Sequence, residues 1–232
     1  MTSSRRDFIG GVGTSVAALG AFGVAARSGE AQLIYQHGDW NFAEFDKLVR
    51  VQAKAKQVYD IRAVGDGKFL NNIKNSLNGF HYGFGIPVDQ IKIAVALHGP
   101  SNALAFDDSM WEKYRLGEFV EVNDPATGKA ATRNIFFPKK PGTSVDLQDR
   151  SSTLQDFSIE ALQARGVKFL SCHTATEEQA GAIIKKFSLK MQIEDVVKDL
   201  QAHVLAGVLV VPAMVATVSL LQSEGHYTYI TV

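Results

Sequence analysis

Val58-Tyr59-Asp60-Ile61-Arg62-Ala63-Val64, then Lys68 to Phe80, then Ile91-Lys92-Ile93-Ala94-Val95-Ala96-Leu97: the fold is decided by how these three stretches follow one another. The first alternates apolar and polar residues, which predicts a half-buried strand, and Gly65-Asp66-Gly67 ends it. In the second, Phe69, Leu70, Ile73, Leu77 and Phe80 share one helical face, as in a helix laid against a sheet. The third is apolar enough towards its end to be a central strand, introduced by Pro87 and Asp89 and closed by His98-Gly99-Pro100. Strand, amphipathic helix and strand in that order predict a right-handed βαβ crossover and a largely parallel sheet.

The pattern extends in both directions. Upstream, Phe42, Phe45, Leu48 and Val49 recur at helical spacing and predict a short helix before Gln57. Downstream, Leu154 to Arg165 reads as a helix closed by Gly166, and Val167 to Ser171 as a strand. Thr176 with Gln179 forms a capping-box pattern for a helix carrying Ala180, Ile183, Ile184 and Phe187. A further helix is expected near Ile193 to Leu205. Val208-Leu209-Val210-Val211 is an apolar strand closed by Pro212, Ala213 to Ser223 a helix stopped by Gly225, and His226 to Thr231 a final alternating strand. The expected architecture is α/β, a mainly parallel five-stranded sheet flanked by helices.

Between Asn123 and Ser152 two turn clusters, Asn123 to Lys129 and Pro138 to Gly142, interrupt this order. Thr132 to Phe137 pairing with Glu118 to Val122 would make a β-hairpin insertion over about 118–152, as solvated decoration, a lid or a docking arm. Trp111 and Tyr114, at helical spacing, are expected to pack or to cover a subunit face.

The chain of 232 residues carries 24 basic and 24 acidic residues, so no basic field for nucleic acid exists. Ser4-Arg5-Arg6-Asp7-Phe8-Ile9 and the uncharged, glycine-rich stretch to Ala26 resemble a twin-arginine export signal, although Gly10 stands where a lysine is common. The resemblance implies a leader over residues 1–31, cut near Ala26 or Ala31, passage through the twin-arginine machinery, and a periplasmic destination. The alternative is a membrane anchor formed by an uncleaved leader. Without the leader the net charge is about −1. Residues 32–232 are expected to form one domain.

Cys172 is the only cysteine, so no disulfide can form within the chain. It lies where Val167 to Ser171 gives way to a helix start, and the N–H groups and partial positive charge at such an end stabilise a thiolate. A small buried hydrophobe is the plainer reading of the same residue. If the strands ending at Leu97 and Ser171 lie in one parallel sheet, His98 and Cys172 emerge together at its carboxyl edge, where open α/β sheets bind ligands. An imidazole there would take the thiol proton or stabilise the thiolate. Gly99 would line the same edge and His173 its rim. Cys172, His173, His98 and His81 are suitable metal ligands, but their spacing matches no metal pattern, and Gly65-Asp66-Gly67-Lys68 lacks the spacing of a phosphate loop. The sequence therefore calls for no cofactor.

Lys168 to His173, Val208 to Ala213, Gln222-Ser223-Glu224-Gly225-His226-Tyr227-Thr228-Tyr229-Ile230, and Ala94 to Gly99 together resemble the DsrE/DsrF-like family. The likeness covers most of residues 55–232 apart from the insertion. It implies a compact, flavodoxin-related α/β layer fold, assembly into trimers or hexamers, and sulfur carried as a persulfide on a cysteine in a loop after a strand, the place of Cys172. A sulfur donor or acceptor, protein or small molecule, would be the partner. The relatives implied are usually cytoplasmic and lack the insertion. Two further readings remain: a non-catalytic oligomeric binding or scaffold protein of the envelope with a structural cysteine, and a metal-binding sensor.

Overall fold

The computed structural model describes residues 36–40 and 42–231. The leader expected over residues 1–31 lies outside them. No described helix is long and apolar enough to cross a membrane.

In chain order the main elements are α1 (Ala43–Arg50), β1 (Ala55–Ile61), α2 (Lys68–Asn78), β2 (Ile91–Leu97), α3 (Asp108–Lys113), α4 (Leu116–Phe119), α5 (Ile159–Ala164), β3 (Lys168–Cys172), α6 (His173–Phe187), α7 (Ile193–Ala202), β4 (Leu209–Val211), α8 (Met214–Ser223) and β5 (Thr228–Thr231). The five strands are all parallel, in the order β4-β3-β2-β1-β5. From β1 to β4 the chain steps one way across the sheet, and right-handed crossovers put the connecting helices on one face. The step from β4 back past β1 to β5 runs the other way, so α8 falls on the opposite face beside α1.

Strand alternation separates the two cores. Tyr59, Ile61, Ile93, Val95, Leu97 and Phe169 meet residues of α2, α5, α6 and α7. Val58, Ala94, Ala96, Leu170, Cys172 and Val211 meet α1 and α8 through Phe45, Leu48, Val49, Met214 and Leu221. Each large side chain fully buried here stabilises the fold by roughly 2 kcal/mol.

β2 has the expected bounds, but β1 begins and ends three residues before the expected Val58 to Val64. Its upstream end is tied down by Lys56, whose ammonium donates to the carbonyls of Val49 and Val51. Its downstream end is closed where the Ser101 hydroxyl donates to Ile61 O at 2.5 Å. The strand is buried on both faces, as a layer between two helical shells requires.

Three expectations are corrected. The helix expected over Leu154 to Arg165 is broken: Asp156 accepts from the N–H groups of Lys140 and Ser158, and Ser158 then caps the shorter α5. The capping box at Thr176 does not form. Cys172 is the N-cap, α6 starts at His173, and the Thr176 hydroxyl bonds back to Cys172 O. The insertion holds no pair of hairpin strands among the described residues; Glu118 belongs to α4, and a single antiparallel bridge joins Asn123 to Ala130.

Buried polar side chains fasten that excursion to the body. The Asn134 amide donates to Leu104 O and Phe106 O, both at 3.0 Å. Gly117 lies so close to Ala131 that a Cβ there would stand 2.2 Å from its carbonyl oxygen. Trp111 and Tyr114 pack inside, the indole donating to Ala103 O and the phenol to Asp199.

Candidate functional site

β2 and β3 end side by side, with Leu97 registered against Ser171. His98 and Cys172 stand one step further on, at the carboxyl edge of adjacent strands that lie about 4.8 Å apart. His98 is extended, so period-two alternation carries it to the face of Ala94 and Ala96, the face that also holds Cys172. Both residues therefore stand at the carboxyl edge of the sheet, although the His98 ring turns towards Asp60 of β1, on the other side of β2 from Cys172.

Cys172 is 5 % exposed, and its Sγ accepts from the backbone N–H groups of Ala175 at 3.4 Å and Met214 at 3.3 Å. Ala175 lies in the first turn of α6, and Met214 opens α8. Two helix N-termini, one from each layer, thus aim a donor at one sulfur atom, an arrangement that stabilises negative charge on it.

Asn102, fully buried in the 3-10 turn Gly99–Ala105, holds the cysteine's backbone in place. Its Oδ1 accepts from Cys172 N at 2.9 Å and Ser171 Oγ at 2.8 Å, and its Nδ2 donates to Thr176 Oγ1 at 3.0 Å. Gly99 starts that turn at φ +55°, a left-handed conformation suited to glycine, and its carbonyl accepts from Gln179 Nε2 at 2.9 Å.

His98 Nε2 bonds to Asp60 Oδ1, and the other carboxylate oxygen accepts from Tyr229 OH at 2.6 Å. A carboxylate offers only acceptors, so Nε2 carries the proton in this pairing. Tyr229 is registered against Val58, two residues before Asp60, and all three side chains continue the face of Cys172. The bond to Asp60 holds the Tyr229 phenol above its ordinary pKa, with burial adding to the effect. The phenol remains a donor and completes a row from β5 through β1 to β2.

His173 faces away into the protein. It is 4 % exposed, its Nδ1 accepts from Gln201 of α7, its Nε2 lies 3.3 Å from Glu177 Oε1, and its ring meets Trp40 edge-on at 5.4 Å. Burial pushes the imidazole below its ordinary pKa. It pushes the Glu177 carboxyl up, and Glu178 adds to that rise. His81 belongs to the helical turn Gly79–Gly83 that continues α2 before β2, at the opposite end of the sheet, where its Nδ1 meets Ile86 O. Among the described residues no three His, Cys, Asp or Glu side chains are placed to hold a metal ion.

Asp60, Asn102 and Tyr229 are site residues that sequence reasoning missed. An acid inside a run of strand residues was the available signal for Asp60. Asn102 and Tyr229 gave none, because their partners lie far along the chain.

No family model matches this chain, and neither the curated proteins nor the solved structures contain a significant match.

Proposed function

We propose that this chain is an exported DsrE/DsrF-like protein that binds or relays sulfane sulfur as a persulfide on Cys172. The observation that carries the reading is the convergence of two backbone N–H donors from different helices on Sγ. Donors fixed in a dry site stabilise anionic sulfur without reorganising when it forms. In the reaction, the thiolate attacks the terminal sulfur of a persulfide or polysulfide. One S–S bond forms, another breaks, and the donor leaves as a thiolate with no net oxidation. Attack by an acceptor thiolate reverses the exchange. His98, oriented by Asp60 and Tyr229, exchanges the proton when the thiol is the entering form. In this reading the chain reaches the periplasm by the twin-arginine route and works as a trimer or hexamer.

Intact-mass measurement after incubation with polysulfide tests the reading. A gain of sulfur that dithiothreitol reverses and Cys172→Ser abolishes is expected. No adduct under any donor would overturn it.

The burial of Cys172 among Leu170, Val211 and Met214 favours a second reading, an oligomeric binding or scaffold protein of the envelope whose cysteine is structural. Native alkylation separates the two. Labelling of Cys172 within minutes supports sulfur chemistry, and labelling only on unfolding supports the scaffold.

A further inference from the structure

α1 and α8 lie on the same side of the sheet but leave one flank of it open. There a cavity of about 480 Å³ opens between α1 and the amino halves of β2, β3 and β4. That volume is within the range of small-molecule sites. Leu48 of α1, Val51 just beyond its end, Leu170 of β3 and Leu209 of β4 give it apolar walls. Leu209 is only partly buried, so among the described residues apolar surface is left uncovered at the edge of the sheet.

The rim is cationic. Lys47, Lys92 and Lys168 line the cavity against one acid, Glu44. Glu44 accepts from Lys47 at 2.5 Å within α1. Lys92 and Lys168 make no ion pair among the described residues. Lys168 is registered against Ala94, so it stands diagonal to Lys92 on the same sheet face, a separation of about 7–8 Å between neighbouring strands. Like charges carried by neighbouring side chains repel each other, and one anion between them turns the repulsion into attraction. Lys168 precedes Cys172 by four residues, roughly 13 Å along the strand, so this place is separate from the sulfur.

We propose that this cavity binds an aliphatic carboxylate such as a free fatty acid, its chain against Leu48, Val51, Leu170 and Leu209 and its head between Lys92 and Lys168. An apolar trough calls for a hydrocarbon, and three lysines around a single carboxylate at its rim call for a second anion. One amphiphile supplies both.

Calorimetric titration of the full chain with decanoate and with decanol, both as monomers, tests this. Saturable binding of one decanoate per chain is expected, with decanol at least about tenfold weaker, the difference a charge-assisted head contact makes. Lys92→Gln with Lys168→Gln should erase that preference, and Leu209→Trp, which fills the trough, should abolish decanoate binding while the unfolding midpoint holds. Absence of saturable binding, equal affinity for the two ligands, or double-variant affinities like those of the unaltered chain would each overturn the proposal. So would a concentration-dependent dimer that Leu209→Trp dissolves, because the occupant would then be a second copy of this chain.

Discussion

Two histidines flank Cys172, and each meets a carboxylate, yet the two corners are built on opposite terms. At the carboxyl edge of β2, His98 and Asp60 are partly open, with side chains 20 % and 12 % exposed, and the carboxylate accepts a second bond from Tyr229. In the first turn of α6, His173 and Glu177 are 5 % and 10 % exposed, and Glu177 Oε1 makes no hydrogen bond among the described residues. The two acids are about equally buried, so the first pair differs in its more open imidazole and in an acid whose two oxygens are both hydrogen-bonded. In the second, burial favours the uncharged forms of both partners. The same residue types therefore form a hydrogen-bonded row across three strands in one corner and a packed pair within one helix in the other. What separates them is the number of donors around the acid.

The largest effect should come from the amide that joins the two corners. Asn102→Ala removes the acceptor of Cys172 N–H and Ser171 OH in a fully buried place, and is expected to cost about 3 kcal/mol in urea unfolding. A loss under about 1 kcal/mol would mean that the two corners are fixed independently. Asp60→Ala follows, at about 2 kcal/mol, because it strands the protonated Nε2 of His98 and the Tyr229 hydroxyl together. Tyr229→Phe alone should cost less than about 1 kcal/mol on this half-exposed strand, and a double-mutant cycle with Asp60→Ala should show coupling between them. Additive losses would dissolve the row.

Glu177→Gln sharpens the contrast from the other side. It removes a buried ionisable group and keeps the shape, so stability at neutral pH should stay within about 0.5 kcal/mol or rise. A clear loss would show that the buried carboxylate is held charged. The smallest effect is one of slope. Burial lowers the His173 pKa below 6.5, so protonation is easier in the unfolded chain, and stability should fall as pH drops through about 6.5. The raised Glu177 pKa acts with the opposite sign: its stabilising share is full below about 4.5 and is lost as pH rises from there through the folded value. His173→Gln should flatten the acid-side slope of chemical-denaturation midpoints between pH 5 and 7, and an unchanged slope would show that another group sets it.

The strands at the middle of the sheet were legible because their burial is written locally. Ile91 to Leu97 reads as a strand from composition alone, and β3 and the edge strand β4 match expectation to within one residue at each end. β1 slipped by three residues because a lysine reaching back and a serine 40 residues ahead set its ends, and neither contact leaves a periodic trace. The excursion was misread for a related reason. Its fastening depends on single side chains such as Asn134 and Asp156 bonding distant carbonyls and amides, which a strand pattern cannot encode. At the site, Cys172 and His98 were visible as residues leaving parallel strands. The second amide on the sulfur was not, because Met214 is 42 residues away and meets it only when α8 crosses beneath the sheet.

That second amide gives the sulfur a mechanical office. The tips it touches belong to opposite shells of the molecule, and the space between them is filled by a single atom. Enlarging that atom, by oxygen, alkyl or another chalcogen, drives a wedge into the rim of the sandwich, so the outer covering on both sides would register what had been added.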